Sequence, residues 1–269
     1  MLPPVELLYR PIELRGEEKL EKSVVPLPWD SQHFGIPIAR ILPSDLQNSD
    51  LRNALSYAKS EGFHLVYWAT SQKWELLSTL LMDFSGLLVD RKVTFQKKLM
   101  RSSIPDSGPN PSSSFKVVEY TQCQATELLL ALAVQSGLHS RFNVDPHIPK
   151  YKFESMFHVW MERSVAHDLA DVVFVAVHPA NTHQYLGVIT ASVEHGVGKV
   201  GLLSVLPNYQ GKGIGSLLMR AVHQWMYAHE CSEMIVVTQQ DNAAACKLYA
   251  QLDYRIQSLE NFYHFWVLI

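Results

Sequence analysis

The most constraining feature of this sequence is a glycine-rich turn between an apolar run and an amphipathic helix. The apolar run, 200–206, is typical of a buried strand and stops at Pro207, which cannot extend a ladder. Gly211, Gly213 and Gly215 then occupy alternate positions, and apolar residues with helical spacing follow them. Such a turn directs backbone N–H groups and the positive end of a helix dipole at an anion, and the missing Cβ lets a phosphate approach. The turn therefore predicts an anion-binding loop.

Two common phosphate-binding motifs do not fit this turn. No Gly-Lys-Ser/Thr follows at the spacing of a P-loop. The strands predicted before it, at 172–177, 185–193 and 200–206, are joined by short turn-forming segments, which favours an antiparallel meander over the parallel units of a Rossmann fold. A strand-to-helix glycine turn is often only a tight connection, so its meaning depends on the residues downstream.

Segment 101–114 divides the chain. It contains three prolines and six serines and almost no apolar residue, so it cannot bury a face and is predicted to be a linker. We expect a smaller α/β domain at 1–100 and a larger domain at 115–269. The first is predicted to contain helices at 45–60 and 75–82 and strands at 39–42, 64–69 and 87–99. The second is predicted to add strands at 115–120, 234–238 and 262–267 and helices at 124–136, 151–166 and from Asn242 onward.

Composition excludes several classes of protein. A hydrophobic content of 47% indicates globular cores, and a formal charge of -3 provides no basic field for nucleic acid. The three cysteines have no zinc spacing and the twelve histidines no ligand pattern, so we expect free thiols and no metal. The start lacks signal-peptide features and no apolar run could span a membrane, which predicts a cytoplasmic protein. An edge strand at 262–267 would allow a homodimer.

A second motif gives the glycine turn its context. Gln210 to Gly215 reads Q-x-x-G-x-G, and Asn242 to Tyr249 reads N-x-x-A-x-x-x-Y at the start of a later helix. In this order the two motifs resemble the GNAT superfamily of acyl-CoA-dependent N-acyltransferases. The resemblance covers 115–269 and implies an α/β fold with a mixed sheet and acetyl-CoA as co-substrate, preceded by a smaller N-terminal α/β domain.

The same resemblance implies the roles of individual residues. The strand before the turn would splay from its neighbour and pair with pantetheine, the Val205 N–H would stabilise the oxyanion, and Tyr249 would protonate the departing thiolate. The implied acetyl-CoA contacts are Leu203, Ser204, Val205, Gln210, Gly211, Lys212, Gly213, Ile214, Gly215, Ser216 and Asn242. Read singly, Asn242 is equally an N-cap and Tyr249 a half-buried core aromatic.

A narrower resemblance concerns the acceptor. The segments 27–35, 140–142 and 238–242 are similar to those of the branch that acetylates nucleotide-linked amino-deoxysugars of the TDP-4-amino-4,6-dideoxyhexose type. Arg141 is a candidate for the sugar-nucleotide phosphate, because guanidinium binds phosphate bidentately; a loop salt bridge is the alternative. Trp29, Phe34 and Phe142 are candidates for stacking on sugar or thymine, with core packing as the alternative.

The amine must lose a proton, and the sequence does not select the base. Asp30, His33, Glu194 and His264 are all candidates by residue type, and bound water could suffice for a weakly basic sugar amine. Two other functions remain open: acetylation of a protein N-terminus or a small amine, and non-catalytic acyl-CoA binding. An intact Tyr249 beside an intact loop argues against the second.

Overall fold

A computed structural model describes residues 23–42, 44–73, 76–99 and 115–268. The chain divides into two compact units. Unit 1 comprises Met1–Lys92, Ser140–Lys152 and Leu259–Ile269, and unit 2 comprises Val93–His139 and Phe153–Ser258.

The described residues form ten strands and eight α-helices in a mixed α/β arrangement. The strands are β1 Val24–Pro26, β2 Ile38–Ile41, β3 Leu65–Ser71, β4 Gly86–Lys98, β5 Lys116–Glu119, β6 Val172–His178, β7 Asn181–Glu194, β8 Val197–Val205, β9 Glu233–Gln239 and β10 Arg255–Trp266. The helices are α1 Pro28–Phe34, α2 Asn48–Ser60, α3 Ser78–Asp83, α4 Glu127–Ser136, α5 Arg141–Val144, α6 Lys150–Val165, α7 Ile214–Ala228 and α8 Ala243–Gln251.

Unit 1 is built on strands in the order β1-β2-β3-β10-β4. Strands β2 and β3 are parallel, whereas β10 runs antiparallel to β3, with His264 opposite Tyr67. Because side chains alternate across a strand, Trp68 and Phe265 lie on the other face, where they join an apolar core that includes Leu55 of α2. One face is therefore apolar, and the face that carries Tyr67 and His264 is free for polar residues.

Unit 2 has the strand order β4-β9-β8-β7-β6-β5. The meander predicted from the turns is confirmed, since β6, β7 and β8 pair antiparallel. Strand β9 is parallel to β8, which gives the mixed sheet. Helix α7 packs on β6 and β7 through a buried stripe that includes Leu218 and Val222.

Three predictions differ from the structure. The helix predicted from residue 45 begins at Asn48, because its N-cap is Gln47 in an extended conformation. The helix predicted at 75–82 is the shorter α3, and its predicted start at Glu75 lies outside the described residues. The segment 262–267 was predicted as an edge strand, but β10 has hydrogen-bonded neighbours on both sides, β3 and β4, so its edge offers no argument for a dimer.

The proposed linker at 101–114 lies outside the described residues. Within the part that the structure describes, no helix is long and apolar enough to cross a membrane. The same residues contain no group of three or more histidine, cysteine or acidic side chains arranged to hold a metal ion.

Candidate active site

Strand β8 parts from β9 halfway along its length. Val197–Val200 pairs in parallel with Glu233–Val236, and the described register ends at that point. Strand β8 continues to Val205 and β9 to Gln239. The two strands therefore leave a gap lined by backbone groups, the splay that the resemblance implies.

A β-bulge lies where the two strands part. Strand β8 supplies two residues, Gly201 and Leu202, opposite the single Thr190 of β7. The Thr190 Oγ1 accepts a hydrogen bond from the Leu202 N–H (2.8 Å), and a Cβ on Gly201 would lie 2.5 Å from the same oxygen. A bulge bends its strand and increases its twist, so this one accounts for the divergence of β8 from β9.

The ladder fixes which backbone groups face the gap. The Leu206 N–H donates to the Leu186 carbonyl (2.9 Å), so Leu206 and Leu186 form a hydrogen-bonded residue pair. Along an antiparallel ladder, hydrogen-bonded and non-hydrogen-bonded residue pairs alternate. Ser204 is therefore bonded to β7, whereas the N–H and C=O of Leu203 and Val205 point away from β7, toward the gap. Of the three residues assigned to pantetheine, Leu203 and Val205 present backbone groups there.

Two glutamine side chains hold the end of this strand. The Val205 carbonyl accepts from Gln135 Nε2 (2.6 Å) and from Gln210 Nε2 (3.0 Å). The Gln210 side chain is thus engaged within the protein. Both bonds fix the peptide group between Val205 and Leu206. The Val205 N–H, the predicted oxyanion donor, belongs to the preceding peptide group, whose Ser204 carbonyl faces β7 in the ladder.

The glycine turn leaves room for a ligand. Gly211 and Gly213 have φ of 74° and 82°, and a Cβ on either would meet no atom within 4 Å. Gly213 is also the N-cap of α7, where no side chain caps the helix. The first N–H groups of a helix have no intrahelical partner, so this 15-residue helix presents them to open space. These features fit the pyrophosphate of acetyl-CoA, which would be held through Gly211–Ser216.

The downstream motif forms helix α8. The Asn242 Oδ1 accepts from the Ala245 N–H (3.1 Å), so Asn242 is the N-cap and its side chain is engaged in that contact. Tyr249 is 3% exposed and lies 5.5 Å from the ring of Phe95. Burial raises the pKa of Tyr249 above its usual value, so the phenol keeps its proton at neutral pH.

The residues predicted for the acceptor lie in unit 1, where two distant sequence segments meet. Phe34 of α1 stacks on Phe142 of α5, with ring centroids 5.7 Å apart. Phe142 is fully buried, whereas Trp29 is half-buried and stacks on His33 at 5.0 Å. The structure therefore brings Phe34 and Phe142 together, and the Phe142 ring is part of the core.

Arg141 is buried rather than displayed on a loop. Its guanidinium lies 4.4 Å from the Phe142 ring centroid, 5.1 Å from that of Phe262 and 5.5 Å from that of Tyr67. Asp30, which is 2% exposed, interacts with Arg141: burial raises the pKa of Asp30, and the Arg141 charge opposes that rise.

The four base candidates have different surroundings. Glu194 forms an ion pair with Lys199, and His33 Nε2 lies 2.9 Å from the Lys152 carbonyl. His264 is fully buried, with Nδ1 2.6 Å from Asp145 Oδ2. Asp30 and His264 thus lie in the buried interior of unit 1.

Three residues of these sites were missed by sequence reasoning. Tyr67 was hidden in an apolar run, although a phenol in a buried strand requires a partner for its hydroxyl. Asp145 was passed over as part of a polar loop, and Gln135 as part of a leucine-rich helix. The only available signal was an isolated polar residue within or beside a buried element.

Comparison with known proteins finds similarity to one family over less than half of the chain. The sequence model of the Acetyltransferase (GNAT) family matches residues 138–254. The spore coat polysaccharide biosynthesis protein SpsD of Bacillus subtilis (strain 168) is 24% identical over 172 residues, which cover 64% of this chain and 58% of that protein. The match thus spans less than two thirds of the length of SpsD.

Solved structures agree on the fold. A GCN5-related N-acetyltransferase from Kribbella flavida has a TM-score of 0.56 at 11% identity, covering 92% of this chain and 91% of its own. A tandem GNAT protein from the clavulanic acid biosynthesis pathway has a TM-score of 0.53 at 13% identity, covering 86% and 75%. At these identities the likeness concerns architecture alone.

Proposed function

We propose that the protein transfers the acetyl group of acetyl-CoA to an amine on a nucleotide-linked deoxysugar, because residues 138–254 match the model of the Acetyltransferase (GNAT) family. The observation that carries the acetyl-transfer part is the opening of β8 from β9 after the bulge, directly before the glycine turn. The gap offers peptide groups for pantetheine and the turn offers N–H groups for pyrophosphate. Together they match the two polar parts of an acyl-CoA.

The reaction is direct transfer. The neutral amine attacks the thioester carbonyl carbon, a C–N bond forms, and the C–S bond breaks with its electrons leaving on sulfur. The proton that the nitrogen loses passes to bound water. Negative charge on the carbonyl oxygen is stabilised by the Val205 N–H, and a backbone donor of this kind is worth roughly 3 kcal/mol when bound substrate excludes water. The direction of this N–H is set by its own peptide group, whose Ser204 carbonyl faces β7 in the ladder.

Tyr249 supplies the proton for the departing thiolate. Its environment contains Phe95 and Tyr254, with ring centroids at 5.5 Å and 5.9 Å. Such an apolar site disfavours phenolate, so the hydroxyl remains a proton donor across the neutral and mildly alkaline range.

The assignment of the acceptor rests on two segments of unit 1 and on the similarity to SpsD. The segments 27–35 and 140–142, which resemble those of amino-sugar acetyltransferases, contribute Asp30, Phe34, Arg141 and Phe142 to one buried region. SpsD is named for spore coat polysaccharide biosynthesis. Both observations support a sugar amine as the acceptor.

The test is a thiol-release assay with acetyl-CoA across a panel of TDP- and UDP-linked amino sugars. We expect release of CoA only with a free amino group on the sugar, most strongly with TDP-4-amino-4,6-dideoxyhexoses. Release with peptide N-termini or simple amines instead would move the function to those acceptors. Binding of acetyl-CoA without turnover on any amine would make the protein a non-catalytic acyl-CoA binder.

A further inference from the structure

A row of polar side chains crosses one face of the unit 1 sheet. Residue pairing places Arg40 of β2 beside Tyr67 of β3, and Tyr67 opposite His264 of β10. Paired residues point to the same face, so the three side chains lie side by side. Tyr67 and His264 stack with ring centroids 4.6 Å apart.

Asp145 fixes the state of His264. The Asp145 carboxylate accepts from the Trp266 Nε1–H (2.9 Å) and the His147 N–H (2.9 Å), and His264 Nδ1 lies 2.6 Å from it. Burial would raise the pKa of Asp145, but these donors bring it below its usual value, so the group is a carboxylate. The proton of the neutral imidazole therefore sits on Nδ1, and Nε2 has only a lone pair.

The lone pair of His264 has no partner. His264 is 0% exposed, and among the described residues Nε2 has no hydrogen-bond partner. Burial lowers the pKa of His264 to about 4, against the opposing effect of Asp145, so Nε2 is an acceptor at neutral pH.

Asp30 and Tyr67 provide further polar atoms in the same place. Asp30 Oδ1 and the Tyr67 hydroxyl are buried, and in the described structure neither has a partner with full hydrogen-bond geometry. The phenol is nevertheless close enough to the carboxyl for hydrogen bonding between them to lower the pKa of Asp30 and raise that of Tyr67. The Arg141 charge favours the carboxylate form of Asp30. The atoms left open, one carboxylate oxygen and one imidazole nitrogen, both accept, and the phenol can accept as well.

We propose that Asp30, Tyr67 and His264 form a buried binding site for the hydrogen-bond-donating hydroxyl or amino groups of the acceptor sugar. The proposal rests on the proposed function for the identity of its ligand. In this site the Arg141 charge opposes the rise in the Asp30 pKa that burial causes and so favours the carboxylate form. This positioning role is additional to the phosphate contact predicted for Arg141 from sequence. Buried acceptors without donors destabilise a fold, so their retention is expected where a ligand supplies the donors.

The test compares two probes on matched variants. His264→Asn keeps a donor to Asp145 and removes the Nε2 acceptor, and Tyr67→Phe removes only the hydroxyl. The exposed His64→Asn and Tyr151→Phe in the same unit are the controls. Calorimetric titration with TDP-4-amino-4,6-dideoxygalactose and with TDP alone separates the sugar from the nucleotide.

We expect each site variant to weaken the amino-sugar complex about tenfold or more. The Kd for TDP and for acetyl-CoA should stay within about twofold, and both controls should match the wild type. An unchanged Kd for the amino sugar would overturn the site. If the affinity for TDP alone falls by the same factor, the site does not bind the sugar specifically and its assignment to the sugar is wrong.

A measurement of thermal stability without ligand tests the binding site even if the proposed acceptor is wrong. A wild-type protein that neither binds nor acetylates the amino sugar contradicts the proposed function, and the ligand-free stability of Tyr67→Phe then carries the test. A hydroxyl reserved for a ligand can be removed with a change in Tm of about 1 °C or less, or with a gain. A clear loss of Tm would mean that an internal water or the Asp30 carboxylate already uses the hydroxyl, and the site would be structural.

Discussion

At the scale of single residues, Tyr249 has the clearest assigned step. We expect Tyr249→Phe to lower kcat by about 10²- to 10⁴-fold, because the thiolate would leave without a proton donor. The Kd for acetyl-CoA should hardly change, since the ring that packs on Phe95 is kept. Steady-state kinetics and calorimetry with acetyl-CoA check this.

Tyr227→Phe is the matched control for that substitution. Tyr227 is half-buried on α7 in the same unit and has no assigned role. If Tyr249→Phe and Tyr227→Phe retain equal turnover, another group or water protonates the thiolate. Because burial raises the pKa of Tyr249, wild-type kcat should also show no loss from phenol ionisation up to about pH 9.

At the scale of elements, the turn before α7 can be tested with a second glycine of the same geometry. Gly213 and Gly196 have φ of 82° and 76°, and a Cβ on either would meet no atom within 4 Å. Gly213→Leu and Gly196→Leu should therefore lower Tm by similar amounts through backbone strain. Only Gly213→Leu should abolish CoA binding, because its side chain fills the space intended for pyrophosphate.

Fluorescence or calorimetric titration with CoA measures this difference. Loss of affinity in both variants would indicate a general effect of destabilisation. Retained affinity in Gly213→Leu would refute the pyrophosphate-binding turn while leaving the pantetheine gap between β8 and β9 untouched.

The bulge in β8 gives a second prediction at this scale. Thr190→Val removes the oxygen that accepts from the Leu202 N–H, a bond of 2.8 Å in the buried interior. An unsatisfied buried donor costs about 1–3 kcal/mol, so the free energy of unfolding should fall by that amount. The Kd for acetyl-CoA should rise as well, because the bulge sets the divergence of β8. Thr190→Ser keeps the oxygen and should have nearly the stability and acetyl-CoA affinity of the wild type. If Thr190→Val and Thr190→Ser have the same stability and affinity, the bulge does not depend on the hydrogen bond to Thr190.

The sequence predicted helices, strands and turns well where neighbouring residues alone determine them. The meander and the turn into α7 follow from turn residues and periodicity, and Asn242 caps α8 as its residue type suggests. The prediction that 262–267 is an edge strand was wrong, because β10 pairs on both sides with strands that lie far away in sequence. Tyr67 and His264 could not be grouped for the same reason, because only strand register makes them neighbours. Asp145 contacts His264 from the end of α5, which is also far away in sequence.

At the scale of the whole molecule, acidification should weaken both units through one histidine each, the fully buried His264 and the half-buried His223. His264 in unit 1 and His223 in unit 2 have pKa values lowered to about 4 by burial, from 6.5 when exposed. Between pH 4 and pH 6.5 the folded state therefore binds fewer protons than the unfolded state. Each histidine contributes stability that is complete above pH 6.5 and is lost as the pH falls to 4, by roughly 3 kcal/mol at most.

Two substitutions separate these contributions. His264→Asn keeps the contact with Asp145, and His223→Gln places an amide near the position of Nε2, which lies 2.9 Å from the Tyr254 hydroxyl. Thermal unfolding at pH 7.5 and at pH 5 should show a smaller acid-induced loss of Tm in each variant than in the wild type. The double variant should have the smallest loss. The Asp145 carboxylate adds a further loss only at lower pH, because its pKa lies below the usual value, and Asp30, with a raised pKa, acts in the opposite direction.

The shape of the unfolding curve tells whether the units report independently. If two transitions are resolved, His264→Asn should alter the acid response of one and His223→Gln that of the other, since the two histidines lie in different units. If a single transition is seen, both variants should act on it and their effects should add, because the side chains share no partner. An acid-induced loss of Tm that neither variant reduces would assign the pH response to other groups, and the neutral state of both imidazoles would have to be abandoned.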